Sequence, residues 1–226
     1  MIHKSSIFSI FSVLILFSCN GDGPAAPQLQ LGMKAVTTAS VITGRSSHGV
    51  VTYQEFKVGV SKVELQTAIE REDPAQEAEY KGSYIVDLLV GTSEPDFGDV
   101  GLVPGNYDKV EFTLSPLIPG GKTLWVRFIH DQDQFELSTT QELDLEVEGL
   151  SALGLSNVRK SLELLVLVDL DLLLQGITLD GLTPGNDGVV RIDETNNAKL
   201  LEDILANLKD SCEAGEDEDR DGEIDD

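Results

Sequence analysis

The run Leu162-Glu-Leu-Leu-Val-Leu-Val-Asp-Leu-Asp-Leu-Leu-Leu174 decides between a helical and a β protein. Its leucine density suggests a helix or a membrane segment. Its parity suggests otherwise. Leu162, Leu164, Val166, Val168, Leu170, Leu172 and Leu174 share one side of an extended chain, and Glu163, Asp169 and Asp171 share the other with Leu165, Leu167 and Leu173. A helix would scatter those acids around its circumference, whereas a strand, whose side chains alternate, gathers them on one face. The stretch reads as one long strand, buried on one face and partly on both.

The same step of two recurs upstream. Val110, Phe112 and Leu114 alternate with Lys109, Glu111 and Thr113 in Lys109–Ser115. Leu143, Leu145 and Val147 alternate with acids in Gln141–Glu148, and Leu124, Val126 and Phe128 mark Thr123–Ile129. Phe56, Val58 and Val60 alternate until the phase slips at Ser61–Lys62 before Val63 and Leu65, which predicts a bulge. Pro104-Gly105 and Pro184-Gly185 read as type II turns, with proline presetting φ and glycine supplying φ > 0. Near the end the period changes. Leu200, Leu201, Ile204, Leu205 and Leu208 fall on one helical face of Thr195–Cys212, with Thr195 or Asn196 able to cap its start. The expected fold is mainly β: an antiparallel β-sandwich over residues 29–194 carrying one C-terminal amphipathic helix at 195–212, then an acidic tail at 213–226.

The N-terminus reads as a leader. His3 and Lys4 precede the eleven-residue apolar stretch Ile7–Phe17, shorter than the roughly 20 residues of a spanning helix. Leu16-Phe17-Ser18-Cys19 resembles a lipobox, which implies cleavage after residue 18 and acylation of Cys19. Residues 19–28, rich in Gly, Pro and Ala, then form a flexible tether. Asn20, rather than an aspartate, follows the cysteine, and by resemblance to lipoproteins generally this implies the outer membrane. The expected location is the cell envelope, with the chain held to the membrane by its lipid.

Formal charge is −24 and the mature chain, without Lys4, is more acidic still; such a surface repels phosphate backbones and argues against nucleic-acid binding. Cys212 has no partner once Cys19 is lipidated, and neighbouring carboxylates are expected to raise its pKa. His48 and His130 are the histidines left after maturation, each read in a loop or turn and neither within a triad motif.

Several of these stretches occur in an order that resembles the DUF4382 family of bacterial and archaeal lipoprotein domains. They are Tyr53–Leu65, Tyr84–Leu89, Leu102-Val-Pro-Gly-Asn-Tyr107 leading to Leu114, and Leu167-Val-Asp-Leu-Asp171, within residues 31–178. The Leu-x-Pro-Gly-x-Tyr element also looks like the corner of transthyretin-like sandwiches. The resemblance implies an immunoglobulin- or prealbumin-like sandwich and assigns no catalytic residue.

One motif carries a mechanism. In Asp217-Glu-Asp-Arg-Asp-Gly-Glu-Ile-Asp-Asp226, Asp217, Asp219, Asp221, Gly222, Glu223 and Asp225 occupy positions 1, 3, 5, 6, 7 and 9 of an EF-hand-type loop. Alternate carboxylates face a hard cation, glycine permits the sharp turn, and Glu223 offers its backbone carbonyl. The run looks like the Asp-rich calcium loops of dockerins and thrombospondin type 3 repeats. The sequence stops at position 10 of that pattern, before its bidentate acid, so the expected calcium affinity is weak, about 10⁻⁴–10⁻³ M. The alternative is a solvated tail, since Glu213–Asp226 carries a net charge of −8.

The expected function is that of a non-catalytic binding or structural module. Low aromatic content, with Trp125 the lone tryptophan, favours a protein over a glycan as its ligand. A carboxylate-dependent secreted hydrolase, or an accessory subunit of an envelope complex, is the alternative.

Overall fold

Alternating apolar residues require two facing surfaces to bury them, and the chain supplies two sheets. The computed structural model describes residues 28–37, 43–46, 49–67, 78–102, 107–148, 162–217 and 221–224. The expected leader, Cys19, the expected tether as far as residue 27, His48, the Pro104-Gly105 turn, Asp219 and Asp225 lie outside the described residues, while Gln28, read as the tether's end, begins the first strand. Strands follow in order as β1 (Gln28–Val36), β2 (Thr43–Ser46), β3 (Gly49–Thr67), β4 (Ala78–Asp87), β5 (Thr92–Glu94), β6 (Val100–Gly101) and β7 (Tyr107–Leu114). Then come β8 (Leu124–His130), β9 (Asp133–Thr139), β10 (Leu143–Glu148), β11 (Leu162–Asp169), α1 (Leu170–Leu173), β12 (Val189–Ile192), α2 (Ala198–Asp210) and β13 (Cys212–Glu216).

The smaller sheet has the order β13-β11-β1-β6, and the larger runs β10-β7-β3-β8-β9-β12, with β2 and β4 also on β3 and β5 on β4. The fold is thus mainly β and two-layered, as expected. Most ladders are antiparallel, but β1 pairs with β11 and β9 with β12 in parallel. Tyr80 on β4 ties the layers together by donating its hydroxyl to the carbonyl of Leu29 on β1. Burial drives the hydroxyls of Tyr53 and Tyr80 well above their ordinary pKa, so both remain hydrogen-bond donors in the core.

Strand β3 organises the larger sheet. One edge carries β8 along Val51–Val58 and then β7 along Val60–Thr67, while the other carries β2 and β4. The handover lies at Gly59, whose N–H donates to Thr123 O (2.9 Å) and whose carbonyl accepts from Ser115 N–H (2.8 Å). Any Cβ there would lie 2.4 Å from Ser115 O, so only glycine allows the two ends of the Ser115–Thr123 loop to close on one residue. The register then shifts between Val60 and Lys62, where the sequence slips. The extra residue, Ser61, bonds Thr113 O and Ser115 Oγ through its hydroxyl.

Three local expectations are corrected. The Leu162–Leu174 strand stops at Asp169, because that side chain caps a helical turn by accepting from Asp171 and Leu172 N–H (2.7 and 3.2 Å). The Pro184-Gly185 turn is displaced: Gly185 has no positive φ, and the turn runs Gly185–Gly188, with Gly188 at φ 80° donating to Gly185 O. Helix α2 begins after Asn197, which is left-handed and makes no side-chain cap; its amide instead bonds Arg191 O. Thr195 and Asn196 lie before the N-cap position, in a turn where both donate their N–H groups to Asp193. The expected apolar face holds. Leu201, Ile204 and Leu208 are buried, each stabilising by about 1.5–3 kcal/mol relative to exposure.

Candidate functional site

The C-terminal segment is part of the smaller sheet. Immediately after α2 the chain forms β13 and pairs antiparallel with β11 from Val168↔Cys212 to Leu164↔Glu216. Residues read as the end of the helix and the start of the tail are therefore strand. In one row across this sheet, Gly32, Leu165 and Gly215 lie side by side. Leu165 leans over Gly32, where a Cβ would sit 3.2 Å from Leu165 Cδ1. Ile224 returns over Gly215, where a Cβ would sit 2.2 Å from Ile224 Cγ2. The two glycines thus make room for two apolar side chains on the outer face, and the last described residues fold back across it.

Asp217 stands where β13 ends. Its N–H donates to Glu163 O (3.1 Å), and its side chain is only 3 % exposed. One carboxylate oxygen accepts from Asp221 N–H (3.2 Å) and the other from Gly222 N–H (3.0 Å). Asp221 in turn accepts from Glu223 N–H (2.9 Å), and Gly222 takes φ 85°. A side chain at Gly222 would also meet Lys34 Nζ at 2.8 Å. The residue at position 1 of the loop pattern thus fixes positions 5 and 6 from its buried foot, and the apolar position 8 anchors the loop to the sheet. Backbone N–H bonds thus tie Asp217 to Asp221 and Asp221 to Glu223, but among the described residues the three carboxylates do not converge on one point; Asp219 and Asp225 lie outside the described residues.

Cys212 is half-buried at the start of β13, donating to Leu208 O at 3.2 Å. Burial, rather than the neighbouring carboxylates expected from the sequence, pushes its thiol up to about 11, with the Ser211 contact working the other way.

A groove of about 570 Å³ opens on the larger sheet, lined by Lys57, Ile85, Asp87, Glu94, Ile118 and Trp125 among others. Lys57 and Lys122 hold their ammonium groups 5.6 and 4.8 Å from the Trp125 ring centre. The Trp125 indole N–H is buried and has no partner among the described residues. Asp87, on the groove wall, accepts Leu89 N–H at 3.2 Å. No local pattern announces this recess, because it depends on β4, β5, β8 and the Ser115–Thr123 loop meeting.

His130 is not in an open turn. It is the last residue of β8, 3 % exposed and edge-on to Phe135 at 6.1 Å. Asp180, fifty positions later, reaches it, a proximity no local pattern announces. Among the described residues no helix is long and apolar enough to cross a membrane. Comparison of the chain with protein-family models, with curated proteins and with solved structures finds no match.

Proposed function

We propose that this chain is a non-catalytic, lipid-anchored module of the bacterial cell envelope whose C-terminal loop binds calcium. The observation that carries the calcium part is the seating of Asp217. A carboxylate 3 % exposed, set at the end of β13 and accepting the N–H groups of Asp221 and Gly222, holds the start of the loop on the sandwich. Much of the ordering entropy of cation binding is then already spent in folding, which favours binding even by a short ligand set. Calcium outside the cell, at millimolar levels, matches a site of about 10⁻⁴–10⁻³ M.

The anchor rests on the leader and Cys19. The binding role is supported by the Trp125 groove, and its chemistry favours a protein ligand over a glycan. Sugar rings stack on open indole faces, and here two lysines already lie over the ring. A second reading, a carboxylate-dependent hydrolase, draws on Asp87 and Glu94 lining the same groove.

Calorimetry on the mature chain tests the first reading. One calcium should bind, and Asp221→Asn should weaken it at least tenfold; absence of saturable binding sinks the calcium role. Labelling with a palmitate analogue in cells should mark the wild type and not Cys19→Ser, and equal labelling would sink the anchor. Hydrolysis of an envelope glycan that disappears in Asp87→Asn and Glu94→Gln would favour the second reading instead.

A further inference from the structure

The β8–β9 hairpin turns through Asp131 and Gln132, both left-handed at φ 48° and 81°, which brings Asp131 back beside the last residue of β8. Asp180 arrives from the segment following α1. It sits between buried Leu179 and Gly181 at φ 77°, so its backbone position is fixed from both sides. The two carboxylates converge on one atom. His130 Nε2 lies 3.5 Å from Asp180 Oδ1 and 3.7 Å from Asp131 Oδ2, and the three ligand atoms all lie within 4.8 Å of one another.

His130 is the anomaly here. Its side chain is 3 % exposed, and neither ring nitrogen has a hydrogen-bond partner among the described residues. Leaving a buried polar group unsatisfied costs about 1–3 kcal/mol, so such a group calls for a ligand. Direct hydrogen bonds would have drawn the carboxylates to about 2.7–2.9 Å. They stand further off, at a spacing with a different meaning. A tetrahedral ion with bonds of about 2.0–2.2 Å separates its ligands by about 3.3–3.6 Å. The separations to Asp180 and Asp131 lie at or just beyond that range.

We propose that His130 Nε2, Asp131 and Asp180 form a three-ligand site for a divalent transition-metal ion of the zinc type. The donor set fits such an ion better than calcium or magnesium, which prefer all-oxygen ligands. Two carboxylates and a neutral imidazole bring a charge of −2, matched by one divalent cation. Nδ1 keeps the ring proton when Nε2 binds the metal. Asp131 and Asp180 are 66 % and 57 % exposed, so the ion faces solvent with a coordination position open to water or to a donor from a partner. The site lies apart in sequence from the C-terminal loop and does not depend on that loop binding calcium.

Zinc titration by calorimetry tests it, in excess calcium to occupy oxygen-only sites, together with the visible absorption spectrum of the cobalt-substituted protein. The mature wild-type chain should bind one zinc, and cobalt should give the intense bands of a four-coordinate site. Asp131→Asn keeps a residue favoured at that left-handed turn position, and Asp180→Asn alters an exposed side chain, so both variants should fold. Each should weaken zinc at least tenfold, and the double variant should abolish saturable binding and the cobalt bands. Asp221→Asn should bind zinc as the wild type does. No saturable zinc in the wild type, or equal affinity in the double variant, overturns the proposal.

Discussion

Replacing Gly59 with alanine tests the organisation of the larger sheet at its tightest point. The added Cβ would lie 2.4 Å from Ser115 O, 3.0 Å from Leu117 Cβ and 3.1 Å from Leu117 N. Two of those three atoms are backbone, so no side chain can swing aside. Relief to a normal contact of about 3.2 Å requires the loop to move by most of an ångström. The Gly59 hydrogen bonds to Thr123 O and from Ser115 N–H, now 2.9 and 2.8 Å, would then be stretched beyond useful length. Two weakened bonds at about 1 kcal/mol each, added to an overpacking cost of about 1–3 kcal/mol, give about 3–5 kcal/mol of destabilisation. For a domain of this size that lowers Tm by about 6–20 °C. Urea unfolding followed by circular dichroism is the assay. Gly101→Ala is the control, because nothing lies within 4 Å of its Cβ position and its φ is not positive. It should be neutral or stabilise by up to about 1 kcal/mol through the unfolded chain. A loss below about 1 kcal/mol for Gly59→Ala would refute the handover of β7 to β8 at this residue.

Gly215→Val should drive Ile224 off the outer face and weaken calcium binding severalfold while leaving every carboxylate in place; unchanged calorimetry would mean that docking of the loop is irrelevant to the ion. Cys212, with its thiol at about 11 against an ordinary 9.0, should carry about a hundredfold less thiolate at pH 8. Alkylation by iodoacetamide should be slower than for a free thiol by at least that factor, and equal rates would contradict its burial. Burial opposes the charged form of Glu194, but hydrogen bonds from Thr139 Oγ1, Thr140 N–H and Thr140 Oγ1 outweigh it and hold its pKa below the ordinary 4.5. Because the folded-state value is the lower one, the stabilisation is complete above about pH 4.5 and is lost as pH falls through the folded-state pKa. Glu194→Gln should flatten the stability profile there, and a profile parallel to the wild type would refute it.

Much of the sandwich was legible in the residues themselves. Alternation marked β7, β8 and β10 because one face of each is buried, and a strand turns burial directly into a period of two. The slip at Ser61–Lys62 was visible because a bulge shifts that phase by one residue. Leu201, Ile204 and Leu208 declared their helix in the same way. Asp169 defeated the reading because an acid on the outward parity of a strand and an acid capping the next helical turn look alike in one dimension. Gly59 and Gly215 carried no signal, since what each must avoid, Ser115 O or Ile224, is brought to it only by folding.

The sites divide along the same line. The loop pattern of Asp217, Asp221, Gly222 and Glu223 could be read from spacing alone, because its members are neighbours in the chain. The burial of Asp217 against β11 could not, and neither could the meeting of His130 with Asp180. What the sequence determined by itself was which residues seek the interior and which local turns they permit. Which strands pair, in which direction, and which distant side chains meet was decided by the tertiary structure. Periodicity records only the burial of a segment, whereas pairing depends on surfaces contributed by segments far away in the chain.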